Sequence, residues 1–267
     1  MTEAAKAQPA ILGQIAAARR SAARWNRIQF TAVWVVILAL LVAAFWATNN
    51  VDITWIQTWA PYILGGIGIT ILVCVVSIVL AVVLAVIGAL GSMARNPIPY
   101  AAASLYVSLV RGTPLLVQIY FIYFSLPFLG IVLPALVAGI LALGFNYGAY
   151  LTEIFRAGIQ GVPRGQREAA EALGMPEHLI MRRVVLPQAT RIVIPAIGNE
   201  FIAMIKDSAL VSIIGVQEVL WRAETSGRPR LNTLEAFIIA ALVYWALTIV
   251  FSLFQDRLER RMSRGDR

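Results

Sequence analysis

The chain has 267 residues, of which 60% are apolar and 13% charged, and a formal net charge of +8. A soluble domain carries about a quarter charged residues and 45–50% apolar ones, so this chain lacks the charge to clothe a water-soluble surface. No charged residue lies between Arg27 and Asp52, Asp52 and Arg95, Arg111 and Glu153, or Glu235 and Asp256, and a helix needs about 20 apolar residues to cross the hydrocarbon layer. These features predict an all-α membrane protein, a polytopic helical bundle with about six transmembrane helices. One cysteine, Cys74, and one histidine, His178, exclude a disulfide framework and argue against a Cys/His metal site.

In chain order, residues 1–27 form a basic segment carrying Lys6, Arg19, Arg20, Arg24 and Arg27. The apolar run Ile28 to Ala47 follows. It is too long for a secretory h-region and ends without an A-x-A site, so it reads as a retained anchor. Residues 28–61 are expected to hold this additional helix and an outer loop with Trp55, Trp59 and Pro61. Tyr62 to Met93 reads as one tilted helix, since at 1.5 Å per residue it reaches roughly 48 Å. Pro127, Gly130 and Pro134 supply turn chemistry between Leu115–Leu126 and Pro134–Leu151, predicting a helical hairpin. Ile192 to Gly215 is a fifth span, interrupted by Glu200, Lys206 and Asp207, and Phe237 to Phe254 is the sixth. Residues 62–256 then form the core, with a polar loop at 161–188, and 257–267 form a basic tail.

Six spans put both termini on one side. Eighteen of the 22 basic residues fall on that side, while Arg222, Arg228 and Arg230 share the other with Glu218, Glu224 and Glu235. By the positive-inside rule both ends and the 161–188 loop are cytoplasmic. The net charge therefore signals topology and contact with anionic membrane lipids, and the chain has no soluble basic surface for nucleic acid.

The loop reads GVPRGQREAAEALGMPEHLIMRRVVLPQ from Gly161 to Gln188. Arg167 to Leu173 is built of helix formers, Gly174 suits a left-handed terminus, and Pro176 suits the first turn of a second helix ending near Val185. Ala169, Ala170 and Ala172 leave a slim helix that a partner's cleft can admit, with Glu168 and Glu171 offering carboxylates to basic groups there. The plainer alternative is a solvated connector between two spans.

Glu168-Ala169-Ala170, three residues, Gly174, nine residues, then Val184-x-Leu186-Pro187 resembles the E-A-A-x3-G-x9-I-x-L-P loop of permease subunits of binding-protein-dependent ABC importers. Arg111-Gly112-Thr113-Pro114-Leu115-Leu116-Val117-Gln118, Ala149-Tyr150-x-x-Glu153-Ile154-x-Arg156-Ala157-Gly158-Ile159, Leu186-Pro187-Gln188-Ala189 and Lys206-Asp207-Ser208-x-Leu210 are similar to the polar amino-acid uptake branch. The resemblance covers roughly residues 62–260. It implies that Glu168, Ala169, Ala170, Gly174, Leu186 and Pro187 belong to a coupling loop seated in a separate ABC ATPase subunit. It also implies a second permease chain, identical or homologous, a soluble substrate-binding protein that holds most of the selectivity, and a place in a bacterial cytoplasmic (inner) membrane. ATP would be consumed by the partner. A phosphate-binding Walker A loop needs a Gly-Lys pair, and the two lysines here, Lys6 and Lys206, follow Ala5 and Ile205. No cofactor is expected in this chain.

Ionisable groups at membrane depth cost about 2.5–3.5 kcal/mol each and need partners or water. Glu200 and Asp207, seven residues apart, fall on similar helix faces, with Lys206 rotated by about 100°. They line a substrate path, or they form a structural ion pair that fixes helix packing at the permease dimer interface. Gln118, Asn146 and Tyr147 either line the same path or serve as interhelical hydrogen-bond partners. Arg111 reads on its own as a group reaching lipid phosphate. Two rival classes fit the sequence less well. An intramembrane hydrolase lacks H-E-x-x-H and G-x-S-x-G motifs. An ion-coupled secondary transporter or channel suits the buried charges, but the chain shows no repeated halves and leaves the loop without a role.

Overall fold

The computed structural model describes residues 24–26, 28–40, 43 and 51–262, and no strand occurs among them. The chain divides into two compact units, one up to Asp52 and one from Ile53 onward. In the first, residues 28–40 form helix α1. Its apolar side chains, Phe30, Trp34 and Leu40 among them, are exposed all round, as expected of a helix that fronts lipid. The remainder of the expected first span lies outside the described residues.

The second unit opens with α2 (Ile53–Leu64) and α3 (Ile67–Ser92). The stretch expected as an outer loop is thus helical from Ile53, and Trp55 is buried. α4 (Pro97–Arg111) follows, then α5 (Leu115–Tyr120), which runs on through a π turn (Phe121–Ser125) and a 3₁₀ turn (Leu126–Leu129). α6 (Ala135–Gln160), α7 (Arg164–Ala172) and α8 (Glu177–Ile180) come next. A π turn (Met181–Val185) joins α8 to α9 (Leu186–Asp207), which passes into a 3₁₀ segment (Ser208–Ile214). α10 (Val219–Gly227) and α11 (Thr233–Met262) complete the chain.

Among the described residues three helical stretches are long and apolar enough to cross a membrane: Ile53–Ser92, Ala135–Gln160 and Thr233–Met262. Pro97–Arg111 with Leu115–Leu129 makes a fourth if the pair, bent by 108°, is counted as one span. α9, at 22 residues, is long enough to span (about 33 Å) yet too polar to qualify on composition. It is packed against α6 and α11.

α4 was not anticipated. Its start is written in the sequence all the same: the Asn96 side chain accepts from the Ile98 amide at 3.0 Å, and Pro97 takes the first helical position. The second helix of the loop does not end at Val185 as expected. It continues through the π turn into α9, because Pro187 falls within the first two positions of α9, where its missing N–H is tolerated and the wider turn absorbs the change of register.

The main core is the α3–α6 contact. Thr70, Cys74, Ser77, Ala81, Ala85 and Gly88 recur at three- and four-residue spacing along α3 and are buried. Small residues let the backbones approach; a Cβ on Gly88 would fall on the Thr152 side chain, 2.9 Å from its Cγ2. A second cluster joins Trp55 and Ile63 of α2 to Val219 and Ala223 of α10 and Ala236, Ala240 and Val243 of α11. Glu218, fully buried, ties it together: its carboxylate accepts from the Trp221 amide at 2.8 Å and from the Tyr244 hydroxyl. A third cluster, Val162, Ala170, Ile180, Val185 and Ala189, fixes the α7–α8 hairpin to the start of α9.

Candidate functional site: a charged interhelical pocket and the α7–α8 hairpin

A pocket of about 520 Å³ opens where three elements meet. The bend between α4 and α5 supplies Arg111 to Leu115, α6 supplies Asn146, Tyr147 and Tyr150, and α9 supplies Glu200, Ala203 and Asp207. Local sequence forces the bend. Pro114 has no N–H to offer the Val110 carbonyl four residues back, so that carbonyl loses its helical partner. The Gln118 side-chain amide replaces it, donating to the Val110 carbonyl at 2.7 Å and the Thr113 carbonyl at 3.1 Å. The Gln118 carbonyl oxygen in turn accepts from the Asn146 amide at 3.1 Å.

Asp207 accepts from the Tyr147 hydroxyl at 2.8 Å. Glu200 stands one stretch of seven residues earlier on α9 and makes no hydrogen bond or ion pair among the described residues. The Arg111 guanidinium lies 5.3 Å from the Tyr150 ring centre and 3.7 Å from Glu153, whose other close partner is Arg156 at 2.9 Å. The pocket thus carries a cation at the α4–α5 bend and two carboxylates on α9, with amide and phenol groups between, and suits a small molecule bearing both charges.

Of the path residues expected from the sequence, Glu200, Asp207 and Asn146 line this pocket. Gln118 stands behind them as a hydrogen-bond partner. Lys206 is exposed on another face of α9, and no ion pair joins it to Glu200 or Asp207 among the described residues. Arg111, Thr113 and Tyr150 also line the pocket and were not assigned to it from sequence. The signal was the Gly-Thr-Pro break after Arg111, which turns the end of α4 inward.

In the hairpin, Gly174 adopts φ +74°, the left-handed region that favours glycine. The Met175 amide donates back to the Ala170 carbonyl at 3.1 Å and the Gly174 amide to Glu171 at 2.8 Å, closing α7 with a Schellman turn. Ala170 points inward and is 5% exposed. Glu168, Ala169, Glu171, Leu186 and Pro187 are exposed, as is Leu173. A cleft of about 980 Å³ beside the hairpin is lined by Arg95, Arg164 and Arg167 with Glu168, Glu171 and Glu177.

Residues 77–264 match the family model described as binding-protein-dependent transport system inner membrane component. The chain is 38% identical over 218 residues to the arginine transport system permease protein ArtQ of Bacillus subtilis (strain 168), covering 81% of this chain and all of that protein. It is 40% identical over 210 residues to the L-cystine transport system permease protein TcyB of the same organism, covering 78% and 89%. A crystal structure of an amino acid ABC transporter with histidines superposes with a TM-score of 0.77 at 38% identity, over 80% of this chain and all of that one. The MetNI methionine ABC transporter in an inward-facing conformation shares the fold, with a TM-score of 0.65 at 21% identity over 75% and 96%. The motifs in chain order, the hairpin that the loop motif builds and a family match over residues 77–264 agree: this protein belongs to the binding-protein-dependent transport system inner membrane components.

Proposed function

We propose that the chain is the permease subunit of an ATP-driven importer of polar amino acids, and that the pocket at the α4–α5 bend is where substrate passes. The observation that carries the substrate class is the charge pattern. Arg111 offers a cation to an α-carboxylate, and Glu200 and Asp207 offer carboxylates to an ammonium group. Asn146 and the pocket tyrosines add hydrogen-bonding groups of the kind that fix orientation. The relatives named for arginine and L-cystine share the family framework while differing in cargo, so the framework accommodates a range of amino acids.

The exposed side of the α7–α8 hairpin, with Glu168, Ala169, Gly174, Leu186 and Pro187, seats a separate ABC ATPase subunit. Ala170 anchors that surface from beneath. ATP is bound and split by that subunit, and closure of an ATPase pair is transmitted through the hairpin to α9, which continues directly from it and carries Glu200 and Asp207. A soluble binding protein delivers substrate from the opposite side. Both termini and the hairpin face the cytoplasm of a bacterial inner membrane, in line with the basic residues.

The test is uptake of labelled amino acids into proteoliposomes holding the permease, its ATPase and its binding protein. Wild-type uptake should require ATP. Glu200→Gln and Asp207→Asn should reduce uptake by about tenfold or more, equivalent to losing roughly 1.4 kcal/mol of substrate stabilisation each, in complexes that assemble normally. Uptake that continues without ATP and without the ATPase would refute the proposal, and unchanged uptake by both variants would remove the pocket from it.

A further inference from the structure

Arg111, the last residue of α4, is the one cation that lines the pocket among the described residues. Glu153 of α6 does not line the pocket, yet it stands 3.7 Å from the Arg111 guanidinium. Arg156, one turn further along α6, holds Glu153 more firmly. Its Nη2 donates to Glu153 Oε2 at 2.9 Å and its Nε to Oε1 at 3.3 Å, so both carboxylate oxygens are engaged. Arg111 meets Oε2, which Arg156 already occupies, and the contact is longer than the roughly 2.7–2.9 Å of a charge-assisted bond. The Arg111 and Glu153 side chains are 44% and 32% exposed, where an ion pair is weak. Arg111 makes no hydrogen bond among the described residues. Its guanidinium is steadied by the Tyr150 ring, 5.3 Å away, and its donors stay uncommitted.

We propose that Glu153 competes with substrate for Arg111. The α-carboxylate of an entering amino acid displaces Glu153, and Glu153 takes Arg111 back as the cargo leaves. Glu153 thereby sets how readily the pocket lets go, and Arg156 sets how strongly Glu153 competes. This role rests on the reading above, in which Arg111 meets the substrate carboxylate. The two competitors are the same chemical group. A carboxylate fixed on the protein competes at a high effective concentration whatever the substrate level. Arg156 moderates it: by engaging both oxygens it leaves Arg111 one long contact, which a free carboxylate can exchange for a forked pair. A site on a transport path must bind well enough to be entered and weakly enough to be left, and a tethered competitor at its edge supplies the second condition.

The test is equilibrium binding of radiolabelled L-arginine, and of agmatine, which is arginine without its carboxylate, to the purified permease–ATPase complex. Nucleotide and binding protein are left out. Arginine is the probe because its guanidinium suits the Glu200 and Asp207 carboxylates. Glu153→Gln keeps the shape and removes the competing charge, so it should tighten L-arginine by about two- to fivefold, the scale of a partly exposed ion pair. Arg156→Gln leaves Glu153 to Arg111 alone and should weaken L-arginine by about the same factor. Agmatine should respond to neither. Loss of structure would weaken binding in both variants, so the opposite signs separate the exchange from a packing role. In an Arg111→Gln background, Glu153→Gln should have no further effect. Shifts of one sign in the two variants, equal shifts for agmatine, or a Glu153→Gln effect that persists without Arg111 would overturn the exchange. Uptake into proteoliposomes reports on the parent reading: a wild-type complex that takes up amino acids with ATP but binds L-arginine independently of Arg111 loses the exchange and keeps the importer.

Discussion

The Gln118 side chain restores to α4 the hydrogen bond that Pro114 removes. Replacing it with Leu would leave the Asn146 amide without its Gln118 acceptor and the Val110 carbonyl with only the long 3.5 Å bond from the Thr113 hydroxyl. Gln118→Leu should lower stability by roughly 1–3 kcal/mol, read as a drop in the thermal midpoint of the purified protein, and Gln118→Glu should not rescue it because a carboxylate cannot donate. Glycines divide the same way by surroundings. A side chain on Gly88 meets Thr152, so Gly88→Val should cost about 1–3 kcal/mol by overpacking the α3–α6 contact. Nothing lies within 4 Å of a Cβ on Gly68, so Gly68→Ala should be neutral or stabilising by up to about 1 kcal/mol. The same unfolding measurement separates the two. At this scale the sequence offered Glu200, Asp207 and Asn146 as candidates for either a path or helix packing, and the structure brings all three to one pocket. It could not identify Arg111 as their neighbour, because Arg111 is some ninety residues from α9 and meets it through the bend.

The α7–α8 hairpin was legible almost residue by residue. Gly174 was expected in a left-handed conformation and has φ +74°, and Pro176 starts α8 as expected. These features are local, fixed by backbone sterics within a few residues. The π turn before Pro187 was not foreseen, since whether a proline ends a helix or begins the next depends on what the flanking turns pack against, here the Val162–Ala189 cluster. An alanine at 174 would pay the left-handed penalty of roughly 1–2 kcal/mol. Gly174→Ala should therefore loosen the hairpin with little change to the spans: uptake per ATP hydrolysed should fall in proteoliposomes while the thermal midpoint of the membrane helices holds. Equal loss of both would place the glycine in the core fold instead.

Over the whole molecule, residues from Ile53 onward form a compact unit with its own three cores, and ArtQ of Bacillus subtilis matches over its full length with 81% of this chain. A chain beginning at Ile53 behind a new initiator methionine should consequently fold and support ATP-dependent uptake in the reconstituted complex. Failure of that shortened chain to assemble would assign a structural role to the first 52 residues.

Composition and charge spacing determined by themselves that the chain is helical and membrane-embedded, and the loop motif determined the family. Both follow from effects that act locally or sum along the chain: hydrocarbon excludes charge wherever it occurs, and a turn is set by its own few residues. Hydropathy registers what suits lipid, and among the described residues it marks three helical stretches, or four with the bent pair. α9 is too polar for lipid and is held against α6 and α11 by packing, and α4 is revealed by its cap more than by its apolarity. Only the tertiary structure decided which charges stand together. Arg111, Asn146, Glu200 and Asp207 come from three separate elements, and their convergence rests on a proline-forced bend at 112–114 and on small residues that let α3 and α6 close, which leaves Lys206 facing outward.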